Sequence, residues 1–314
     1  MHKDRSFGTL RKAAARFLRK DLLTFPGKIQ IETTAACNAD CVMCPHSSMK
    51  RDKGPMPYGL YKKIIDECSA NAKYVSEVYP FLNGELFLTP QWENYLSYAR
   101  VKLGKARLSV STNGSLLNET NSGKLLEIRP DHINISFDGT DKPTYEAIRR
   151  NLCFEEIENN IRAFVSKRNS LGYKKPAVSI SIVEMARTAA GIPAFVRRWS
   201  GVVDSVSVEP YNTWTGDVGD LSAGGRPARP RVPCPRLWYN LTVLNSGKVA
   251  LCCLDYEGKA TLGDLNSRSI REIWNGGVLA AARQAHEEDG YGALPLCKNC
   301  DYGKYQSETS FWWV

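Results

Sequence analysis

Three cysteines lie within eight residues of one another near the start of the chain. Cys37, Cys41 and Cys44 have the spacing C-x3-C-x2-C, and a proline follows directly. Three thiolates at this spacing can bind three irons of a cubane cluster and leave the fourth iron without a protein ligand. An open metal position is typical of a catalytic site, as it is for catalytic zinc. The spacing therefore indicates a catalytic iron–sulfur centre.

A zinc site and a chance match stay open as alternatives from the residues alone. Three cysteines can take part in a zinc site, although zinc sites usually bring C-x2-C pairs and no second pair lies nearby. A chance match is roughly a one-in-a-hundred event at this cysteine content. Residues 29–34 alternate like the end of a strand, so the motif falls on the loop that follows. Catalytic groups occupy such loops in barrels of alternating strands and helices.

The composition predicts an ordinary globular protein. The chain has 314 residues, of which 43% are hydrophobic, enough for one large domain or for a domain and a smaller module. No apolar run approaches the length of about 18 residues that a membrane span requires. The amino-terminal segment lacks the apolar block of a signal peptide. Clustered cysteines without a secretion signal predict a cytoplasmic protein whose thiols bind metal.

The positive charge is concentrated at one end of the chain. The net charge is +9, and residues 1–20 contribute +6 of it, through seven basic residues and one acidic residue. Residues 1–27 are predicted to contain a basic amphipathic helix, which we expect to pack on the rest of the molecule. Binding to a membrane surface or to nucleic acid is the less favoured interpretation. We therefore expect no nucleic-acid partner and no membrane span.

Strand patterns alternate with helix patterns through the first two thirds of the chain. Six strands are predicted, over residues 29–34, 75–82, 108–112, 132–139, 177–183 and 202–208. This alternation indicates parallel βαβ units. Polar residues end three of the strands: Asn83-Gly84-Glu85, Thr112-Asn113-Gly114 and Ser136-Phe137-Asp138-Gly139.

The cysteine motif together with these strand ends resembles the radical S-adenosylmethionine (SAM) enzymes. The resemblance implies an α/β fold, a partial (β/α)6 TIM barrel over residues 28–210. It implies that Cys37, Cys41 and Cys44 hold a 4Fe–4S cluster whose open iron chelates SAM. One electron then breaks the sulfonium and releases a 5′-deoxyadenosyl radical, which takes a hydrogen atom from the substrate. A reducing partner such as flavodoxin or ferredoxin is implied as well.

The same resemblance implies roles in binding SAM for a set of residues, which are Met43, Glu85, Ser111, Asn113, Ser136, Asp138 and Arg149. Glu85 would bind the amino group of SAM, although Asn83 and Leu86 replace the usual glycine and proline of this motif. Ser136 would reach the ribose or the carboxylate, and Asp138 is a second ribose candidate. Arg149 would pair with the carboxylate, with Arg150 as the alternative. Without the resemblance, the two arginines would be a surface pair on a helix.

A second set of cysteines lies in residues 211–314. The order is Cys234, a predicted hairpin, Cys252 and Cys253, a Gly-Asp-Leu run, a helix with Ile-Trp, and finally Cys297-x2-Cys300. This order resembles the SPASM or "twitch" module, which holds an auxiliary 4Fe–4S cluster. The resemblance implies that four cysteines ligate this cluster completely: Cys234, Cys252, Cys297 and Cys300. Tetrahedral zinc stays open as an alternative metal.

Cys253 is then not a ligand of either cluster. Adjacent residues of a strand point to opposite faces, so we expect Cys253 to face away from the auxiliary site, toward the mouth of the barrel. It is either a packed thiol or a catalytic hydrogen-atom donor, as in the radical SAM epimerases.

The resemblance extends to enzymes that carry one auxiliary cluster, which include aminocyclitol dehydrogenases and neomycin-type epimerases of antibiotic biosynthesis. It implies a radical SAM oxidoreductase or epimerase that acts on a small carbohydrate-like molecule. A sugar-acid decarboxylase, a peptide maturase and a non-catalytic iron–sulfur or zinc scaffold or sensor are the alternatives. Candidates for the substrate pocket are Glu184, Glu209, Arg187, Arg226, Arg229, Arg231 and Arg236.

Overall fold

The computed structural model describes residues 23–224 and 231–302. The amphipathic helix predicted in residues 1–27 lies almost entirely outside this range, as do Arg226 and Arg229. Among the helices that are described, none is long and apolar enough to cross a membrane.

The described strands are β1 (Lys28–Ile31), β2 (Asp40–Cys41), β3 (Glu77–Tyr79), β4 (Arg107–Thr112), β5 (His132–Ser136), β6 (Arg149–Arg150), β7 (Ala177–Glu184), β8 (Ser205–Pro210), β9 (Asn240–Val243), β10 (Lys248–Ala250) and β11 (Thr261–Asp264). The described α-helices are α1 (Tyr58–Ala70), α2 (Trp92–Lys102), α3 (Glu119–Ile128), α4 (Lys142–Ile148), α5 (Phe154–Ser170), α6 (Ile192–Trp199), α7 (Arg236–Tyr239), α8 (Ile270–Trp274), α9 (Gly277–Glu287) and α10 (Pro295–Lys298).

Nine of these strands form one open sheet in the order β11-β10-β9-β1-β3-β4-β5-β7-β8. All neighbours from β9 to β8 run parallel. The six predicted strands correspond to β1, β3, β4, β5, β7 and β8, with helices between consecutive members. The predicted α/β fold with a partial barrel is confirmed, because the sheet does not close.

Two apolar cores lie between the helices and one face of the sheet. Ile29 and Val78 pack with α1 in the first core, and Ile133 and Ile180 pack with α5 in the second. Cys68 is fully buried in the first core, as predicted for a thiol that packs as a small hydrophobe.

The hairpin of the second cysteine region continues the sheet of the barrel. β9 pairs in parallel with β1 over four residues, and β10 pairs antiparallel with β9. Leu241 and Trp274 belong to the same core as α1. The two parts of the chain therefore share backbone hydrogen bonds and one apolar core, which the sequence did not predict.

The opposite face of the sheet is polar along almost its whole width, and we call it the polar face. Its residues alternate with the apolar ones that pack on the helices. They are Gln30, Glu77, Tyr79, Ser109, Ser111, His132, Asn134, Ser136, Ser179, Ser181, Ser205, Ser207, Glu209 and Thr242. Closed barrels of this class instead fill their interior with branched apolar side chains. This open barrel therefore has a hydrophilic groove on its inner side.

Candidate active site

The loop after β1 carries the first three cysteines and is held by a separate two-stranded sheet. β2 pairs antiparallel with β6, so Cys41 lies opposite Arg149. The Val42 amide donates to the Ile148 carbonyl at 3.0 Å, and the Cys44 amide donates to the Cys41 carbonyl at 3.0 Å. These main-chain bonds curl the loop so that its three thiols turn toward one cavity.

Gly84 allows the end of β3 to approach this loop closely. A Cβ atom at Gly84 would lie 2.2 Å from the carbonyl oxygen of Thr34 and 2.8 Å from that of Ala36. The neighbouring Glu85 amide donates to the Ala36 carbonyl at 2.7 Å. A glycine is therefore required here by a close approach between two backbones.

A cavity of about 250 Å³ collects most of the predicted site. Among its lining residues are Cys37, Cys41, Cys44, Met43, Glu85, Asn113, Ser136 and Arg149. Ser111 and Asp138 are not among the lining residues. Ser111 lies on the polar face, where its hydroxyl donates to the Asn134 carbonyl at 3.2 Å.

Glu85 is buried, and both of its carboxylate oxygens accept hydrogen bonds. The Thr112 hydroxyl donates to one oxygen at 2.7 Å and the Asn113 amide to the other at 2.8 Å. Burial raises the pKa of Glu85. A cationic ligand in the cavity would favour the charged carboxylate and offset that cost. The predicted contact of Glu85 with the amino group of SAM remains a prediction.

Arg149 and Asp138 form a buried ion pair beside Cys41. The Arg149 Nε and Nη2 atoms lie 2.8 and 2.5 Å from Asp138 Oδ2, and Nη1 lies 3.8 Å from Cys41 Sγ. Burial acts to lower the pKa of Arg149, but Asp138, Cys41 and Tyr145 together raise the pKa above its usual value. The interpretation as a surface pair on a helix was wrong for Arg149, because α4 ends at Ile148. Arg150 is exposed and lies 3.6 Å from Asp40.

The structure holds Arg149 in place through Asp138. Asp138 also accepts a bond from the Val183 amide at 2.5 Å, so its carboxylate is anchored to β7. Its role as a ribose ligand remains a prediction.

The three motif cysteines fit an iron cluster better than a single zinc ion. In residues 23–224 and 231–302, the one group of three or more candidate ligand atoms that all lie within 4.8 Å of one another is Glu146, Cys153 and Glu155. Tetrahedral zinc would hold its sulfurs about 3.8 Å apart. A cubane spreads its sulfurs further, because each thiolate binds a different iron. The same reasoning applies to the second cysteine set.

Burial keeps the motif thiols protonated in the absence of metal. It raises the pKa of Cys37 to about 11 and that of Cys44 to about 12. Metal binding must therefore displace protons from these thiols, as it does in other thiolate sites. A multiply charged metal centre would supply the positive charge that the buried thiolates need.

The second cysteine set surrounds a second cavity. Its lining residues include the four predicted ligands Cys234, Cys252, Cys297 and Cys300, together with Arg231, Arg236, His286 and Tyr291. Burial raises the pKa of Cys297 to about 12 and also raises the pKa of Cys234. Four half-buried thiols around one cavity fit a fully ligated cluster.

Cys253 lies in different surroundings from its neighbour. Both cysteines follow β10 in a bend, so the expectation that they sit in a strand was wrong. Cys253 is not among the lining residues of the second cavity and packs against Leu82, Leu244 and Ala250. Leu82 lines the first cavity. The Cys253 thiol therefore packs against a residue of the first cavity, while its neighbour Cys252 lines the second.

Two arginines of the predicted linker, Arg231 and Arg236, lie at the second cysteine set. Arg231 donates to the carbonyls of Cys297 and Cys300 at 2.7 and 3.1 Å. The Arg236 guanidinium lies 3.7 Å from the centre of the Tyr302 ring. Both line the second cavity, so neither is simply solvated, and their interpretation as ligands of an anionic substrate group remains a prediction. Of the remaining pocket candidates, Glu209 lies at the end of the polar face and Arg187 is exposed.

Sequence reasoning missed a buried network behind the cysteine loop. Glu32 is fully buried and accepts bonds from Arg51 Nη2 at 2.6 Å and from the Asn245 amide at 3.0 Å. The Arg51 Nη1 atom also donates to the Asn245 side chain at 2.9 Å. The network joins β1, the segment after the cysteines and the hairpin. Its signal in the sequence was an acidic residue in the polar phase of β1.

Trp214 was also missed, and it contacts the first cavity directly. Its indole Nε1 atom donates to the Met43 carbonyl at 2.9 Å, between Cys41 and Cys44. The next residue, Thr215, lines the second cavity. The segment after β8 therefore touches both cysteine sites.

Two parts of the chain match known families. Residues 31–172 match the radical SAM superfamily, and residues 234–301 match the SPASM iron–sulfur cluster-binding domain. These matches confirm the predicted resemblance and the iron–sulfur and SAM cofactors that it implied.

Relatives of known function include a dehydrogenase and a maturase. The chain is 21% identical over 289 residues to the S-adenosyl-L-methionine-dependent 2-deoxy-scyllo-inosamine dehydrogenase of Niallia circulans. The alignment covers 91% of this chain and 97% of that protein. It is 29% identical over 193 residues to the mycofactocin maturase MftC of Mycobacterium tuberculosis, covering 60% of this chain and 46% of that protein. The chain thus spans about half the length of the maturase.

Solved structures show the same fold. The crystal structure of BtrN in complex with AdoMet and 2-DOIA aligns with a TM-score of 0.61 and 19% identity, over 88% of this chain and 92% of that one. Streptococcus suis SuiB bound to precursor peptide SuiA aligns with a TM-score of 0.68 and 14% identity, over 95% of this chain and 76% of that one.

Proposed function

The chain is a radical SAM enzyme with a C-terminal SPASM domain, and from this premise we propose that it removes a hydrogen atom from a C–H bond of a small carbohydrate or aminocyclitol. When bound, the reduced cluster and SAM supply the 5′-deoxyadenosyl radical that takes this atom. The outcome is oxidation of the substrate or inversion at one of its carbons. The observation that carries the proposal is the polar face, which leads up to the cavity of the three cysteines.

The residues of the first cavity suit the amino acid part of SAM. Cys37, Cys41 and Cys44 would hold three irons. Glu85 offers a carboxylate to an ammonium group, and Arg149 offers a forked guanidinium to a carboxylate. Trp214 fixes the Met43 carbonyl at the cavity edge.

The polar face suits a substrate with many hydroxyl groups. Its side chains bond to one another across strands, as between His132 Nε2 and Ser179 Oγ at 2.8 Å and from Asn134 Nδ2 to Ser181 Oγ at 3.1 Å. An apolar substrate would displace water from the remaining donors and acceptors of these groups without replacing its hydrogen bonds, which is costly. The Glu209 carboxylate is exposed at the end of this face and would suit an amino group.

Two outcomes compete after the hydrogen atom has gone. In oxidation, the carbon radical loses a proton to a base and one electron to the auxiliary cluster. In inversion, the Cys253 thiol gives a hydrogen atom to the opposite face of the carbon, and the thiyl radical that remains takes one electron, supplied by the flavodoxin or ferredoxin donor, and one proton from solvent to restore the thiol. The packing of Cys253 against Leu82, which lines the first cavity, supports the second outcome. We also propose a cytoplasmic location, where all ten free thiols stay reduced, and a flavodoxin or ferredoxin as electron donor.

A peptide is the second candidate substrate, because the relatives include a maturase and an enzyme solved with a precursor peptide. The length of the chain argues against a peptide substrate, because the alignment covers 97% of the dehydrogenase but 46% of the maturase.

The proposal is tested with anaerobically reconstituted protein, SAM and dithionite in heavy water. Three substrates are compared by mass spectrometry: 2-deoxy-scyllo-inosamine, a neutral cyclitol and a peptide of mixed sequence. A cyclitol product about two mass units lighter indicates oxidation, and one about one unit heavier indicates entry of solvent hydrogen through an exchangeable thiol. Turnover of the peptide alone would contradict the proposal.

A further inference from the structure

His286 connects two of the predicted auxiliary ligands that lie far apart in the sequence. It lies near the end of α9 with its side chain buried. The Cys234 amide donates to Nδ1 at 3.2 Å, and Nε2 lies 3.4 Å from Cys297 Sγ. The imidazole therefore bridges the backbone of one ligand and the sulfur of another.

The first of these contacts determines the tautomer. A main-chain N–H group can only donate, so Nδ1 must offer a lone pair and the ring proton must be on Nε2. The Nε2–H group then points at the sulfur of Cys297 as a donor. An N–H group that donates to a ligating thiolate draws charge from the sulfur, which stabilises the reduced form of a cluster.

The imidazole is held in this orientation from its other side. The Tyr291 ring meets the His286 ring edge-on, with centroids 4.8 Å apart and planes at 88°. The Arg231 guanidinium lies 4.7 Å from the centre of the Tyr291 ring. The ring is therefore packed into place rather than free to turn away from the sulfur.

We propose that His286 is a positioning residue that donates an N–H···S hydrogen bond to the Cys297 thiolate and raises the reduction potential of the auxiliary cluster. The inference rests on the proposed presence of that cluster. A raised potential favours uptake of the electron that a substrate radical gives up on oxidation. The hydrogen bond from His286 would therefore suit the auxiliary cluster to the role of electron acceptor.

Two substitutions distinguish the hydrogen bond that the imidazole accepts from Cys234 and the one that it donates to Cys297. The amide oxygen of His286→Asn lies where Nδ1 was and keeps the acceptor for Cys234, but no donor reaches Cys297. The amide nitrogen of His286→Gln reaches the place of Nε2 and keeps the donor. Gln284→Asn, an exposed change on the same helix, is the matched control.

The test uses the full chain with Cys37, Cys41 and Cys44 replaced by alanine, so that signals come from the second site. The midpoint potential is measured by redox titration followed by electron paramagnetic resonance, and iron and sulfide are counted in each variant. We expect His286→Asn to shift the potential downward, and His286→Gln and Gln284→Asn to remain near the parent. An unchanged potential in His286→Asn with a full cluster overturns the inference alone. Failure of the parent to bind about four irons overturns the auxiliary cluster and the inference together.

Discussion

Glu85 and Arg149 offer opposite charges to the same cavity as the three cysteines. Each is buried and each is held by neighbours, Glu85 by Thr112 and Asn113, and Arg149 by Asp138. An amino acid ligand carries both complementary charges, so this arrangement would fix its direction in the cavity. Glu85 and Arg149 would thus determine the orientation of the cofactor in the cavity.

Asp138→Asn should destabilise the protein by about 3 kcal/mol, because it leaves the buried Arg149 guanidinium without its counter-charge. Urea unfolding of the metal-free protein under anaerobic conditions measures this change. Asp40→Asn is the matched control, since Asp40 faces the exposed Arg150 and should cost less than about 1 kcal/mol. Equal effects of the two substitutions would contradict the assigned pair.

Cys253→Ala should abolish inversion at the substrate carbon and leave oxidation largely intact, because only inversion needs a thiol hydrogen. Chiral separation of the products measures both outcomes in one reaction. The exposed Cys153→Ala should change neither. Loss of oxidation with retention of inversion would show that the thiol has another role.

At the scale of elements, the site depends on how closely β3 approaches the cysteine loop. Gly84→Ala places a methyl group against the Thr34 carbonyl and should push the two backbones apart. We expect SAM cleavage to fall at least tenfold, and retention of iron at the first site to drop. Gly59→Ala in α1, where a Cβ meets nothing within 4 Å, should leave both unchanged or add stability of up to about 1 kcal/mol. The idea fails if both variants behave alike.

The elements that could be predicted are those with a local pattern. Apolar alternation and turn residues marked all six barrel strands, and cysteine spacing marked the residues that line both cavities. The β6 segment was not predictable, because Arg149 continues the helical pattern of α4 and leaves it only to pair with β2. The pairing of β9 with β1 was missed as well, since it joins residues that are more than 200 positions apart. His286 and Glu32 act through distant partners, and although an acidic residue in the polar phase of β1 marks Glu32, nothing local identifies the groups that bind it.

At the scale of the whole molecule, the two cysteine regions form one structural unit. β9 covers the edge of β1, and the Ile270 amide donates to Glu67 of α1 at 2.7 Å. Glu32 and Asn245 add a buried polar contact between the same parts. Motion of the hairpin should therefore be transmitted to the cysteine loop.

A protease site placed between residues 224 and 231 tests this unity. After cleavage, the two fragments should migrate as one particle by size exclusion and separate only in denaturant, because they share a sheet and an apolar core. Spontaneous separation under native conditions would contradict the continuous sheet.

Reductive cleavage of SAM is the most direct measurement of the central claim. Anaerobically reconstituted protein with dithionite should release 5′-deoxyadenosine, quantified by chromatography. Replacing Cys44 by alanine should reduce this release to the level without protein, because the first cluster loses a ligand. The Cys300→Ala variant should retain measurable uncoupled release, since Cys300 lines the other cavity. If the parent protein carries about eight irons and releases no 5′-deoxyadenosine, the chain is not the enzyme described here.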